Sequence, residues 1–533
     1  MSTNSNPGKL RKNLGLTQFL LIGIAGSIGG AIFYGAQKAV GSAGPAGILA
    51  YALAPVLYLF VALTYIDISQ DFPEAGGPSR FSIYSHGQAT NLINAMADLI
   101  WYLFIPPLEA YVFVGLVVHY FFPQVLQPNG NLTLAGGIVA VALILLFVPL
   151  NYYGIEVFAK VNRVFGWLKF ALYAVIAVTF IGIALTFNPY SIQNFTAFGG
   201  FLPYGATGLF AAMPIAMFSF GGSRTIPDFA EEAKDKSVLI KGLLLTVLGE
   251  AVIYVTFAVI FTLATDWRAM GITAGNWAAL LNIAENPYYI LAKAYGIPEM
   301  SYLVLIYLIV ALIMVGYVYM GAGSRVMLAM ARSRFVSRKM GEIHPKYAIP
   351  YWALVVFGLV GAAISFLFAP VPGLYALVND TTVAGYIGFA TNPVTMMVLK
   401  IQGASKYNVP GGRAIAVVAF AVSSLIVFWS GWPAVPYSAL LIAAASLIFG
   451  LLYRTKEGLL ESIWYIGWIA FLTLMTYLGS DGGLNVIPYL WATLITVVVS
   501  LAVFYPLGIA LGLRERNFEV HTMEVREQEK SES

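Results

Sequence analysis

The chain has 533 residues, of which 59% are hydrophobic and 10% charged, with a mean hydropathy of +0.79. That balance excludes a soluble globular domain. Apolar runs of ~20 residues, each long enough to cross ~30 Å of hydrocarbon as a helix, predict a polytopic all-α membrane protein and not a barrel of short alternating strands. The chain has no cysteine, so disulfide and thiolate chemistry are excluded, and its net charge of +4 gives no sign of a nucleic-acid partner.

The N-terminal stretch MSTNSNPGKLRKN lacks the apolar core and cleavage site of a signal peptide. The first spanning helix is therefore expected to be a retained insertion signal. That span, residues 16–37, contains GIAGSIGGAIFYG, with glycines at 23, 26, 29, 30 and 35. Glycine is a poor helix-interior residue, so the cluster needs a reason. One reason is a break at membrane depth, whose freed N–H and C=O groups become a binding site. The other is close helix packing, for which Gly26 and Gly30 have the small-xxx-small spacing.

Thirteen further apolar spans follow. They cover residues 48–68, 91–122, 134–152, 164–187, 205–226, 238–265, 302–332, 351–368, 375–399, 414–432, 437–453, 463–478 and 487–511. In the sixth, AAMPIAMFSFGGSRTIPDF carries Pro214, Gly221, Gly222 and Pro227 and is predicted to break near its middle. Two interrupted helices five spans apart, entering from opposite sides, are what an inverted repeat of five plus five helices requires, with substrate between them near the midplane. The repeats are expected at residues 16–187 and 205–399, within a transporter core of residues 1–403. Residues 404–533 are expected to form four accessory helices and a charged tail.

Placing the N-terminus in the cytoplasm leaves only Lys38, Arg268 and Lys293, of 29 Lys+Arg, in outside loops. This segregation supports about fourteen transmembrane helices with both termini cytoplasmic, in a multi-pass protein of the cell membrane. The outside segment 267–299 is too polar to span and is expected to lie over the extracellular mouth. Asn131 and Asn194 begin N-x-T sequons that this topology would open to glycosylation, with chance occurrence favoured.

Four motifs carry a resemblance. Gly26-Ser27-Ile28-Gly29-Gly30-Ala31-Ile32-Phe33 resembles GxxIGxGIF, and FPEAGGPSRFSIYSHG resembles PxxGGxYxY. FSFGGSRTIPDFAEEAKD resembles FxFxGxExxxxxAEEvKNP. SRVMLAMARSRFVSRKMGEIHPKYAIPYWAL resembles the eighth helix and following loop of the same family. The chain is thus similar to the amino acid–polyamine–organocation (APC) superfamily of amino acid permeases.

The resemblance implies a LeuT-type 5+5 inverted-repeat fold and alternating access. By the same resemblance, backbone amides of Gly29, Gly30 and Ala31 would hold a substrate carboxylate. Carbonyls of Ala25, Gly26, Ser27, Phe218 and Ser219 would take its amino group, with Phe218 or Phe220 as an aromatic gate beside Gly221. Arg224 stands where the family often has glutamate. It would either set substrate selectivity or form a salt bridge to Asp228 or to another helix, and the bridge is favoured.

Ionisable residues within spans are costly and each is a functional candidate. The resemblance implies a coupling role for Lys169, whose ammonium would stand where sodium-coupled relatives bind the ion; the alternative is snorkelling from ~8 Å inside the fifth span. Asp98 and Glu109, about three turns apart on one face of the third span, would relay protons or be structural, and the structural reading is favoured for Asp98. Glu250 and Asp380 are left without a role, and Asp67 and His119 are read as interfacial.

No H-E-x-x-H, G-x-S-x-G or G-x-x-x-x-G-K-[ST] occurs, so neither an enzyme nor a directly ATP-driven pump is expected. The expectation is a secondary transporter without cofactor, driven by a proton or other ion gradient. It would import an amino acid, neutral or apolar by a slight lean, as a monomer or homodimer in the lipid bilayer. Rival readings are a polyamine or organic-cation carrier, an exchanger, and, less favoured, a channel or sensor.

Overall fold

A computed structural model describes residues 9–29, 31–283, 287–369 and 383–514. Among these residues the backbone is helical apart from loops and isolated bridges, such as Leu14 beside Ala233 and Ala75 beside Phe229. Among the described residues ten helices are long and apolar enough to cross a membrane, and eleven if one bent pair counts as a span.

The first expected span is two helices, α1 (Leu16–Ser27) and α2 (Ala31–Ala43). Ile28 caps α1 by donating its N–H to Ile24 O, and its ψ of 87° turns the chain out of the helix. α3 (Gly47–Asp71) returns across the membrane. α4 (Ile83–Phe113) contains Gly87 at φ 74°, a left-handed position that favours glycine and separates its first turn from the span proper. α5 (Leu134–Tyr152) agrees with its expected range.

α6 (Ile155–Phe187) starts nine residues before the expected 164. Lys160, Asn162 and Arg163 read as a loop, but Gly154 at φ 97° sets the turn and the helix then continues through the polar stretch. The correction moves Lys169 from the first turns of a helix to fourteen residues inside it, about 21 Å at 1.5 Å per residue.

The sixth expected span is α7 (Gly205–Ser219), a 3-10 turn at Gly221–Arg224 and one helical turn at Thr225–Asp228, with a 43° bend. α8 (Lys236–Ala264) follows. The outside segment then forms a 3-10 turn, Trp277–Asn282, and α9 (Pro287–Ala294). Gln37 on α2 fixes that segment by donating to Leu280 O at 2.7 Å and Ile283 O at 2.9 Å. The sequon residue Asn194 is buried: it donates to Thr262 O and Thr265 O and accepts from the Trp267 indole, which leaves no amide for a glycan.

Next come α10 (Glu299–Arg332) and α11 (Tyr351–Phe368). The outer part of the tenth expected span, with Asp380, lies outside the described residues; its inner part is α12 (Ala384–Phe389) and α13 (Thr391–Ile401). α14 (Gly412–Trp429), α15 (Ala434–Leu452), α16 (Ile463–Leu478) and α17 (Tyr489–Gly512) complete the chain. Among the described residues the helices long and apolar enough to span number ten or eleven, against the fourteen expected. The count by length is lower because α1 and α16 are short, α2 and α3 run together, and residues 370–382 are outside it.

α1 lies in the interior, packed on α6, α8, α10 and the 221–224 turn. The periphery is apolar and exposed: Val178 on α6 and Leu451 on α15 are each 72% accessible, as a lipid-facing surface requires. α14 packs on α3 and α7, Tyr465 donates to Ile387 O at 2.9 Å, and the His86 ring lies 2.9 Å from Gly508 O. Asp67, expected to be interfacial, is buried in a 2.8 Å ion pair with Lys400. His119 is at an outer helix end, 3.2 Å from Pro123 O, as expected.

Candidate functional site: two broken helices

The two breaks meet in the interior. A side chain at Gly222 would collide with the backbone of Gly26 and Ser27, so the 221–224 turn lies directly against the end of α1. A Cβ on Gly26 would come 3.2 Å from Val318 and 3.5 Å from Gly222 O. Both sequence readings of these glycines therefore apply together: the helix breaks, and the glycines let another backbone approach.

Three helices hold the end of α1. Lys169, 2% accessible, donates from α6 to Ala25 O at 3.2 Å. Glu250, fully buried on α8, accepts a hydrogen bond from the Ser27 hydroxyl. Tyr254, one turn further along α8, donates to Ser27 O at 2.7 Å. Glu109 reaches the break from α4, where a Cβ on Gly29 would sit 2.7 Å from its Oε1. Carbonyls expected to face a substrate amine at Ala25 and Ser27 are thus already engaged. Gly30 lies outside the described residues, and Ala31 begins α2.

On the sixth span, Ser219 bonds to Ile215 O at 3.2 Å and lies 3.5 Å from the Tyr51 hydroxyl. Phe220 is buried, its ring 5.6 Å from that of Tyr254, which itself stacks on Tyr51 at 5.5 Å. Phe218 is half-buried, 6.1 Å from the Trp101 ring. A Cβ on Gly221 would come 2.7 Å from Trp101. An aromatic wall of Tyr51, Trp101, Phe220 and Tyr254 therefore borders the breaks.

Arg224 packs behind Trp101 of this wall and is already paired. It is 1% accessible, paired with Asp98 of α4, and donates to Gly385 O at 2.8 Å. Its guanidinium lies 5.0 Å from the centre of the Phe389 ring and 5.9–6.0 Å from those of Tyr65, Trp101 and Tyr102. Asp98 also accepts from Ser79 at 2.9 Å. Asp228, the nearer candidate partner in sequence, accepts instead from Tyr102. Asp98 and Glu109 thus serve different clusters despite sharing a helix face.

On one side of the breaks stands a layer of ion pairs. Arg325 on α10 grips Glu232 with two hydrogen bonds of 2.9 and 2.8 Å. Arg332 grips Glu231 at 2.6 and 3.1 Å, and Ala75 N–H donates to the same carboxylate at 3.0 Å. Leu14 N–H donates to Glu232 O, Gly76 N–H to Asp228 O, and Arg80 pairs with Glu74 at 2.7 Å. Burial alone would push the Glu231 carboxyl up; the Arg332 guanidinium and the Ala75 amide outweigh burial and hold it below the usual glutamate range.

Sequence reasoning left Glu250 without a role and did not single out Tyr51, Trp101 or Tyr254. A charge inside an apolar span was the visible signal for Glu250. Its partner Ser27 is 223 residues away, a separation that no local pattern bridges. The three tyrosine and tryptophan residues carried no comparable signal, since aromatics are abundant in every span.

The family model for amino acid permeases matches residues 18–409. The chain is 29% identical to the glutamate/serine transporter AimA of Bacillus subtilis, over 95% of this chain and 94% of that protein. It is 27% identical to the aspartate-proton symporter of the same organism, over 94% and 97%. It is 25% identical to that organism's branched-chain amino acid permease BcaP, over 86% and 97%. Matched over most of its length by the family model, and carrying the family's motifs on two apposed broken helices, the chain belongs to the amino acid permeases of the APC superfamily and is a multi-pass membrane transporter.

Proposed function

We propose that the protein imports amino acids across the cell membrane by alternating access, coupled to protons through Lys169, with no cofactor. The observation that carries this reading is the buried Lys169 ammonium, 3.2 Å from the carbonyl of Ala25 at the end of α1. A lysine there can alternate between charged and neutral forms, and only the charged form holds the carbonyl strongly. Loss of its proton loosens α1 from α6; regaining it restores the grip. Proton movement is thereby tied to the helix that would bind substrate.

For the side chain carried, the aromatic wall supports an uncharged residue of modest size. Arg224 is already neutralised by Asp98, which argues against its pairing with an acidic substrate. The relatives named for glutamate/serine and for aspartate favour a second reading, an acidic or small polar amino acid. Uptake of labelled leucine, serine, glutamate and aspartate into proteoliposomes, with and without an inward proton gradient, separates the two. The expected result is saturable, gradient-stimulated uptake that Lys169→Ala lowers by about tenfold, the loss of ~1.4 kcal/mol of coupling. Uptake indifferent to both the gradient and Lys169 overturns the coupling reading, and no uptake of any amino acid overturns the substrate class.

A further inference from the structure

Glu250 is buried at 0% accessibility in the middle of α8, fourteen residues from either end of that helix. One carboxyl oxygen accepts from the Ser27 hydroxyl; the other, Oε2, has no hydrogen-bond partner. A carboxylate accepts up to about four hydrogen bonds, and a buried one left with a single donor is costly. A protonated carboxyl would likewise leave its second oxygen unserved. Neither charge state is well satisfied in this arrangement, which marks a group whose partner changes during the cycle.

The surroundings decide what that partner is. The groups facing Glu250 are Ser27 from α1, Lys169 from α6, Tyr58 from α3 and Tyr254 from its own helix. Lys169 is the one cation among them, and it interacts electrostatically with Glu250 while donating to Ala25 O. Ala25 and Ser27 belong to the same last turn of α1. The ammonium and the carboxyl therefore hold one turn from two sides, the first by its carbonyl and the second by its hydroxyl.

We infer that Glu250 is a second proton-carrying group of the transport cycle, and that Ser27 transmits its charge state to the first helix break. The inference rests on the proton-coupled reading above and assigns a carboxyl to it. When Glu250 is charged, the Ser27 hydroxyl donates to it and is unavailable elsewhere. When a proton from the outer solution binds the carboxyl, Glu250 itself donates to Ser27 Oγ, and the Ser27 hydrogen turns to another acceptor, such as a substrate carboxylate. Release of that proton to the inner solution restores the first arrangement. At Glu250 one proton enters and one leaves, and this step changes the bonding of only Glu250, Ser27 and the new acceptor.

The test compares wild type, Glu250→Gln, Glu250→Asp and Ser27→Ala in proteoliposomes. Substrate counterflow is read beside gradient-driven accumulation and substrate-induced proton entry, the last with a trapped pH dye. Glu250→Gln is expected to exchange substrate while accumulating none above the external level and admitting no protons. Glu250→Asp is expected to restore accumulation with a displaced pH profile. Ser27→Ala is expected to weaken both counterflow and accumulation while proton binding at Glu250 is retained. Gradient-driven accumulation by Glu250→Gln overturns the inference. So does loss of counterflow in both Glu250→Gln and Glu250→Asp, which would mark the residue as structural. A wild type that ignores the gradient overturns the proton-coupled reading itself, and that result is read before any variant is considered.

Discussion

Arg224 and Asp98 are oppositely charged residues with almost no solvent access, inside a ring of aromatic side chains. Removing one partner leaves the other charge buried and unpaired, which costs about 3–5 kcal/mol. Arg224→Ala and Asp98→Ala should each lower the unfolding temperature in detergent strongly. The double variant Asp98→Leu/Arg224→Met should lose less than either single change, because it removes both charges and keeps the volume. If the double variant loses the sum of the two, the pair acts as independent contacts and not as a neutralised unit. That Arg224 would be held in a salt bridge was readable from its place in an apolar span. That its partner is Asp98 was not: the two are 126 residues apart, and Asp228, one turn away, is taken by Tyr102. Lys169 shows the same limit from another side. Its place inside an apolar span was visible, but its depth was misjudged while the polar start of α6 read as a loop.

At the scale of elements, the breaks were the most legible feature. Glycine and proline mark them directly, since these residues fail to continue a helix for backbone reasons that need no partner. The layer of ion pairs that joins the ends of α1, α7 and α10 was legible only as motif residues, because each pair bridges distant segments. These bonds tie the segments around the breaks together on one face of the bundle. Arg325→Ala should loosen that face. The chain has no cysteine, so a single Ala25→Cys thiol reports access without background. A membrane-impermeant thiol reagent applied from the ion-pair side should label Ala25→Cys faster in the Arg325→Ala background. Equal labelling rates would show that the layer is not a barrier. The Arg332–Glu231 pair adds a statement about pH. Its carboxyl is held below the usual range, so its stabilising contribution is complete above the ordinary glutamate value of ~4.3 and is lost only as pH falls through the lower folded value. Glu231→Gln should therefore leave the pH profile of uptake between about pH 5 and 8 unchanged in shape, whatever it does to the rate. A changed slope in that window would contradict the assignment.

For the whole molecule, composition and charge segregation were enough to predict a bundle of membrane helices, because hydropathy and loop charge act on long stretches and average over local error. The relation of α14–α17 to the rest was not legible, since their faces are apolar in all directions. The contacts are specific: α14 on α3 and α7, Tyr465 to Ile387 O, His86 against Gly508 O. A chain ending at residue 411 would expose those faces and remove the Tyr465 donor to Ile387 O and the Gly508 carbonyl beside the His86 ring. It should express poorly and aggregate in detergent; stable expression with retained uptake would make α14–α17 dispensable. The contact between the two breaks has a different consequence. Because a Cβ on Gly222 would collide with the backbone of Gly26 and Ser27, the contact between the breaks is mostly main chain, and Ser27 is the one side chain within reach of that point. A change of cargo is therefore expected to fall mainly on the walls, at positions such as Phe218, Ser219 and Trp101. Directed evolution of the protein toward bulkier cargo should collect its mutations on those walls and leave the main-chain contact untouched.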